Sequence, residues 1–97
     1  MNMNQILNQA KNMQKKMEKT QEEVGKMIFT SKKDLVEVQV NGNKEIVNIN
    51  IDKTIEKDDI EMLEDMLLIA LNDALNQAAA EMEKKLGKFS PNIPGLF

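Results

Sequence analysis

The sequence predicts an α+β fold in the order helix, antiparallel meander of two or three strands, long helix, completed by a second copy of the chain. Three observations carry this reading. Residues 2–27 hold an apolar seam whose spacings alternate three and four, a helical period. Residues 35–51 alternate apolar and polar, a strand period. The segment Asp58–Leu86 reads as one long helix with five consecutive apolar residues, Leu67 to Leu71, at its middle. A helix turns about 100° per residue, so five such residues point to every side. An ordinary surface helix shows one apolar stripe and a polar back. Here two opposite faces need a cover. A chain of 97 residues buries only roughly 60–65% of its unfolded surface and struggles to provide both covers alone.

The first helix is expected from about Asn2 to Met27. Its seam is Met3, Ile6, Ala10, Met13, Met17, Thr20, Val24 and Met27. Methionine fills irregular gaps but specifies packing weakly, so the seam reads as one wall of an intramolecular or dimeric helix pair. Gly25 weakens the last turn and marks the end. Ile28 to Ser31 is β-prone, a short first strand, and Lys32-Lys33-Asp34 a turn. From Leu35 to Val40, Val36, Val38 and Val40 share one face, with Glu37 and Gln39 on the other. Asn41-Gly42-Asn43 is the strongest hairpin signal, because both residue types tolerate positive φ. The next strand spans about Glu45 to Ile51. Val47, Ile49 and Ile51 are expected inward, and Ile46 outward or at an edge. So small a sheet is not stable alone, and the long helix is its cover.

Asp58, Asp59 and Glu61 crowd the start of that helix, where acids meet the positive end of the dipole. Lys84 and Lys85 sit at its other end, and Gly87 is a helix stop. Ala70, Ala74 and Ala78 form a shallow ridge along which another helix can approach. The domain is expected over residues 1–87, with 88–97, holding both prolines, a flexible tail.

Cysteine and histidine are both absent, which excludes disulfides and the common zinc sets and suits a cytoplasmic protein. The net charge is −3 and every cation is lysine. The charge is uneven: residues 1–27 carry +2, 28–57 balance, and 58–97 carry −5. The longest apolar run, five residues, is too short to span a membrane. Catalysis finds no support: Ser31 and Ser90 have no visible base, and no phosphate-binding glycine loop exists. The acids at the start of the second helix read as dipole compensation, not as a metal site.

Four stretches together resemble a known family. They are Gln9-Ala10, Met13-Gln14, Met17 and Gln21-Glu22-Glu23; Val38-Gln39-Val40-Asn41-Gly42 with Val47, Ile49, Ile51 and Asp52; Asp58-Asp59, Glu61 to Asp65 and Asn72-Asp73-Ala74; and the closing Pro94-Gly95-Leu96-Phe97. In order and spacing the chain resembles the YbaB/EbfC family of small bacterial nucleoid-associated proteins. The resemblance implies a cytoplasmic homodimer in the nucleoid. Helices would project like tweezer arms from a joined sheet. It also implies DNA binding with modest sequence preference, and no cofactor or catalysis. Three departures stand out. Leu75, Asn76 and Gln77 occupy positions where members often carry basic residues. Ser31 to Asp34 replaces a glycine-rich link, and Lys53 stands where proline is common.

The candidate DNA contacts are Lys11, Lys15, Lys16, Lys19 and Lys26 on the first helix, with Lys84 and Lys85 on the second. Lys11, Lys15 and Lys19 are four apart, on one face off the seam. The bland reading is a solvated helix back paired with Glu22 and Glu23, and for Lys84 and Lys85, with nearby Lys88, a complement to the helix C-terminus. Lys32 and Lys33 form a third basic group, on a loop. Lysines would contact phosphate as point charges, since arginine, the commonest bidentate guanine reader, is missing. The candidate dimer interface is Leu67, Leu68, Ile69, Leu71, Ala74 and Leu75. The Asn72-Asp73 pair either hydrogen-bonds across that interface or faces water. The alternative function is a protein-interaction module that uses the methionine seam and the Leu96-Phe97 tail without significant DNA binding.

Overall fold

The computed structural model describes residues 2–52 and 54–89. The expected tail from residue 90 on, and Lys53, lie outside the described residues. Helix α1 spans Met3–Gly25, strands β1, β2 and β3 span Ile28–Lys33, Val36–Asn41 and Ile46–Ile51, and helix α2 spans Ile60–Leu86 after a short 3-10 turn at Lys57–Asp59. The sheet is an antiparallel meander in the order β1-β2-β3.

α1 starts at a capping box. Asn2 Oδ1 accepts from the Gln5 backbone N–H at 2.9 Å, and the Asn2 N–H donates to Gln5 Oε1 at 3.3 Å. This satisfies donors the first turn would otherwise leave open. The helix ends at Gly25, as its sequence suggests. The β1-β2 turn is tighter than expected. Lys32 and Lys33 pair with Glu37 and Val36 in the sheet, and Asp34 takes the positive φ of 48°.

The β2-β3 hairpin also closes differently from the Asn-Gly expectation. Its positive-φ residue, other than glycine, is Lys44 at 65°. Asn41 organises the loop with its side chain instead. Its Oδ1 accepts from the backbone N–H of Asn43 at 2.9 Å and of Glu45 at 3.0 Å. A three-residue loop with a left-handed last position is the next commonest hairpin after the two-residue turns. Gly42 is needed for another reason. A Cβ there would lie 1.9 Å from the Val24 carbonyl oxygen, because the end of α1 seats on this loop.

The core lies between α2 and the first two strands. Val36, Val38 and Val40 are fully buried, with Phe29 from β1 and Met66, Ala70, Ala74 and Ala78 from α2. Each fully buried side chain of this kind contributes roughly 1.5–3 kcal/mol. The alanine ridge therefore serves the protein's own sheet, not another helix: small side chains let α2 come close to the valines. Asp73 adds a polar clamp. It accepts from Ser31 Oγ at 2.7 Å and from Gln77 Nε2 at 3.2 Å, and Gln77 Nε2 also donates to the Thr30 carbonyl at 3.2 Å. Asp73 is thus half-buried and bonded within the chain, while Asn72 is exposed.

α2 packs chiefly on β1 and β2; from β3, Ile51 reaches the core. Val47 and Ile49, expected inward, are therefore about half exposed, at 50% and 45%. Ile46, expected outward or at an edge, is 51% exposed on the edge strand β3. A bulge between Gln39 and Val40 sets Ile46 opposite Val40, as Ile49 is opposite Val38, and cross-strand partners share a face. α2 closes at Leu86 with Gly87 as its C-cap, the stop expected of it, at a right-handed φ of −58°.

Candidate nucleic-acid interface

α1 and α2 meet near their C-terminal ends. Thr20, Val24 and Met27 of α1 share a cleft with Glu81, Lys84, Lys85 and Lys88. Further along, Phe89 sits by Met13 and Lys16. The seam is covered only over this overlap. Val24 is buried and Met17 and Thr20 are half-buried, whereas Met3, Ile6 and Met13 are exposed. The distal half of α1 is thus an arm, and the molecule measures 70 × 23 × 12 Å.

Lys11, Lys15 and Lys19 are exposed along this arm. The compensating pairs expected for a solvated back are mostly missing. Among the described residues, two ion pairs fall within 4.0 Å: Lys26 with Glu22 at 3.7 Å and Lys85 with Glu81 at 3.8 Å. Glu18 instead accepts from Gln14 at 3.4 Å. Among the described residues, no carboxylate neutralises Lys11, Lys15, Lys16 or Lys19 at contact distance. Lys84, Lys85 and Lys88 add to the same arm through the shared cleft, with Glu81 and Glu23 tempering them.

Two carboxylates are held strongly ionised elsewhere. The Ser31 hydroxyl, then the Gln77 amide, hold the Asp73 carboxyl below its usual range, against a smaller desolvation effect; Lys33 adds a little. Asp52 is lowered chiefly by the Thr54 backbone N–H and then by its hydroxyl. Both are structural: one clamps α2 to β1, the other closes a turn. Among the described residues, no group of three or more acids could hold a metal ion, and no helix is long and apolar enough to cross a membrane.

The residues expected at a dimer interface divide three ways. Leu67, Leu71 and Leu75 are half-buried along one flank of α2 and pack on the edge of the core. Leu68 and Ile69 are exposed at 62% and 55%. Ala74 is fully buried against the sheet and has nothing to offer a second copy. Val47 and Ile49, expected inward, are exposed together with Ile46 as an uncovered apolar strip on the edge strand β3. The Ser31–Asp73–Gln77 clamp was also not foreseen. Its only sequence trace is the Asp73/Gln77 spacing of four.

A basic arm on a small α+β body can be compared with known proteins. The model of the YbaB/EbfC DNA-binding family matches residues 1–93. The chain belongs to this family. Relatives named as nucleoid-associated proteins include one from Oceanobacillus iheyensis. It is 40% identical over 101 residues, covering 99% of this chain and 97% of the relative. Another, from Caldanaerobacter subterraneus subsp. tengcongensis, is 45% identical and covers 99% and 91%. A crystal structure of an uncharacterised Helicobacter pylori protein shares the fold, with a TM-score of 0.76 at 28% identity, covering 87% of this chain and 91% of that one.

Proposed function

We propose that this YbaB/EbfC protein is a non-enzymatic, nucleoid-associated DNA-binding protein of the cytoplasm. It works as a homodimer whose helical arms contact the phosphate backbone through lysines, with little base reading. The observation that carries this is the un-neutralised row Lys11, Lys15 and Lys19 on a projecting helix. Lys16, Lys26, Lys84 and Lys85 widen the basic surface. The relatives' names support the same reading. Phosphate contacts position a protein without reading sequence, and lysine brings none of arginine's bidentate base recognition.

The dimer reading rests on the open side of the fold. β3 is an edge strand with unpaired backbone groups on one side, and its apolar strip lies beside the flank of Leu67, Leu71 and Leu75. Natural proteins rarely leave such an edge free. Pairing two β3 strands would join the sheets and bring the two leucine flanks together. The protein-interaction reading is favoured only by the uncovered seam on α1; the tail residues it also needs lie outside the described residues.

The test is to replace Lys11, Lys15 and Lys19 by glutamate together. The expected result is loss of binding to random-sequence duplex with the dimer mass retained. Unchanged DNA affinity would overturn the arm mechanism.

A further inference from the structure

The two ends of the molecule carry opposite charge beside uncovered apolar surface. At one end is the distal half of α1. Met3, Ile6 and Leu7 are exposed there, and residues 2–17 contain Lys11, Lys15 and Lys16 and no acid. At the other end is the first half of α2. Residues 58–72 contain Asp58, Asp59, Glu61, Glu64 and Asp65 and no cation. On its outer side Met62, Leu68 and Ile69 are exposed. Asp65 lies three positions from Met62 and Leu68 and four from Ile69, and Glu61 lies four before Asp65 and two turns before Leu68, so both acids share that face. Because the helices overlap only toward their C-terminal ends, the basic tip and the acidic face stand far apart along the 70 Å axis.

The acidic face is not explained by the other surfaces. Ala70 and Ala74 point the opposite way, into the sheet. Of the residues expected at a dimer interface, Leu67, Leu71 and Leu75 form the half-buried flank, while the exposed Leu68 and Ile69 lie next to it on this face beside Met62 and the acids. Acids also repel DNA phosphate, so the face is no part of a DNA surface.

We propose that this face receives the arm of another copy. The apolar stripe and lysines of one α1 tip lie on the apolar patch and acids of the next molecule's α2. A second copy is the partner whose chemistry is on hand. It supplies apolar side chains and the opposite charge together, whereas arm against arm would set lysine against lysine and face against face would set acid against acid. The contact is heterologous: each molecule offers a tip to one neighbour and a face to another. Such contacts grow into open chains unless the rotation closes a ring. Only a few side chains meet on each side, well short of the roughly 1,200 Å² of a stable interface. Association is therefore weak in dilute solution and strengthened where copies are held close together. Lys11, four positions from Leu7, borders the apolar stripe, whereas Lys15 and Lys19 lie further round the helix, so their charge still faces outward in a docked arm.

The experiment measures mass by sedimentation without DNA, over a concentration series at low and high salt. This separates it from the DNA reading, which can fail without affecting the result. The expected result is concentration-dependent growth beyond the base oligomer at low salt, lost at high salt as the charges are screened. Lys11→Glu with Lys16→Glu weakens this growth by about tenfold, and so does Glu61→Lys with Asp65→Lys. The chain carrying all four changes regains it, because the complementarity is reversed at both ends. Met62→Ser, outside the expected dimer interface, weakens it at every salt concentration while the base oligomer is retained. Circular dichroism confirms that each variant is folded. A mass independent of concentration at low salt, or a fourfold variant no better than the doubles, overturns the proposal.

Discussion

α1 and α2 are both long helices, of 23 and 27 residues, but they spend their apolar residues differently. α2 buries Met66, Ala70, Ala74, Ala78 and Leu86, whereas α1 buries only Val24 and Gly25. α2 lies on a sheet whose valines match its alanine ridge. α1 has a seam of similar length but a cover for only its last turns. The difference separates two duties: α2 holds the fold together, and α1 is held by its end so that the rest can reach outward. Its exposed stretch depends on helix propensity and a cap, which alone make a helix of this length only marginally stable in water.

The sharpest way to break this contrast is to truncate matching methionines. Met66→Ala is expected to cost about 2–5 kcal/mol, because it leaves a cavity in a packed core. Met13→Ala, on the arm, should cost no more than about 0.5 kcal/mol. Urea denaturation of the two variants measures both, and equal losses would show that the arm is packed as tightly as the core.

The joint between the two regions comes next. Gly42→Ala places a Cβ against the Val24 carbonyl, and backbone cannot move aside as cheaply as a side chain. A loss of about 1–3 kcal/mol is expected. Amide exchange should show faster opening at the C-terminal end of α1 before any change in the α2 core.

A smaller effect reports on the clamp. Ser31→Ala removes the strongest hydrogen bond to Asp73, with an expected loss of about 1 kcal/mol at neutral pH. The Asp73 pKa is lowered in the folded state. Its contribution is therefore fully present above the unfolded carboxylate value and lost as pH falls through the lower folded value. The gap in melting temperature between wild type and Ser31→Ala should hold from neutral pH down to that range and then narrow. A gap that widens in acid would contradict the assignment.

The core was legible in the sequence because its periods are unambiguous. Val36, Val38 and Val40 alternate strictly, and α2 is apolar where the valines need a cover. The arm's charges were legible for the same reason: Lys11, Lys15 and Lys19 can only share a face. What stayed hidden depends on distances that a linear pattern does not hold. Val47 and Ile49 look the same whether a strand lies beneath a helix or at an edge beside it. Leu67 and Leu68 are adjacent letters, yet one flanks the core and the other faces outward. Asp73 reads as a break in an apolar helix until Ser31, 42 residues away, is seen to reach it. Ala74 could have faced a helix or a sheet, and the short side chain suits both.

A salt titration decides whether the arm acts through phosphate contacts. Affinity for a short random duplex is measured over a range of salt, with the mass of the protein determined in the same buffer. Counterion release gives a linear fall of log affinity with log salt, with a slope of about −0.9 for each phosphate neutralised. The expected result is a dimer whose slope corresponds to several phosphates and becomes shallower when Lys11, Lys15 and Lys19 are replaced by glutamine. A dimer that does not bind at low salt, or a slope unchanged by those substitutions, would contradict it.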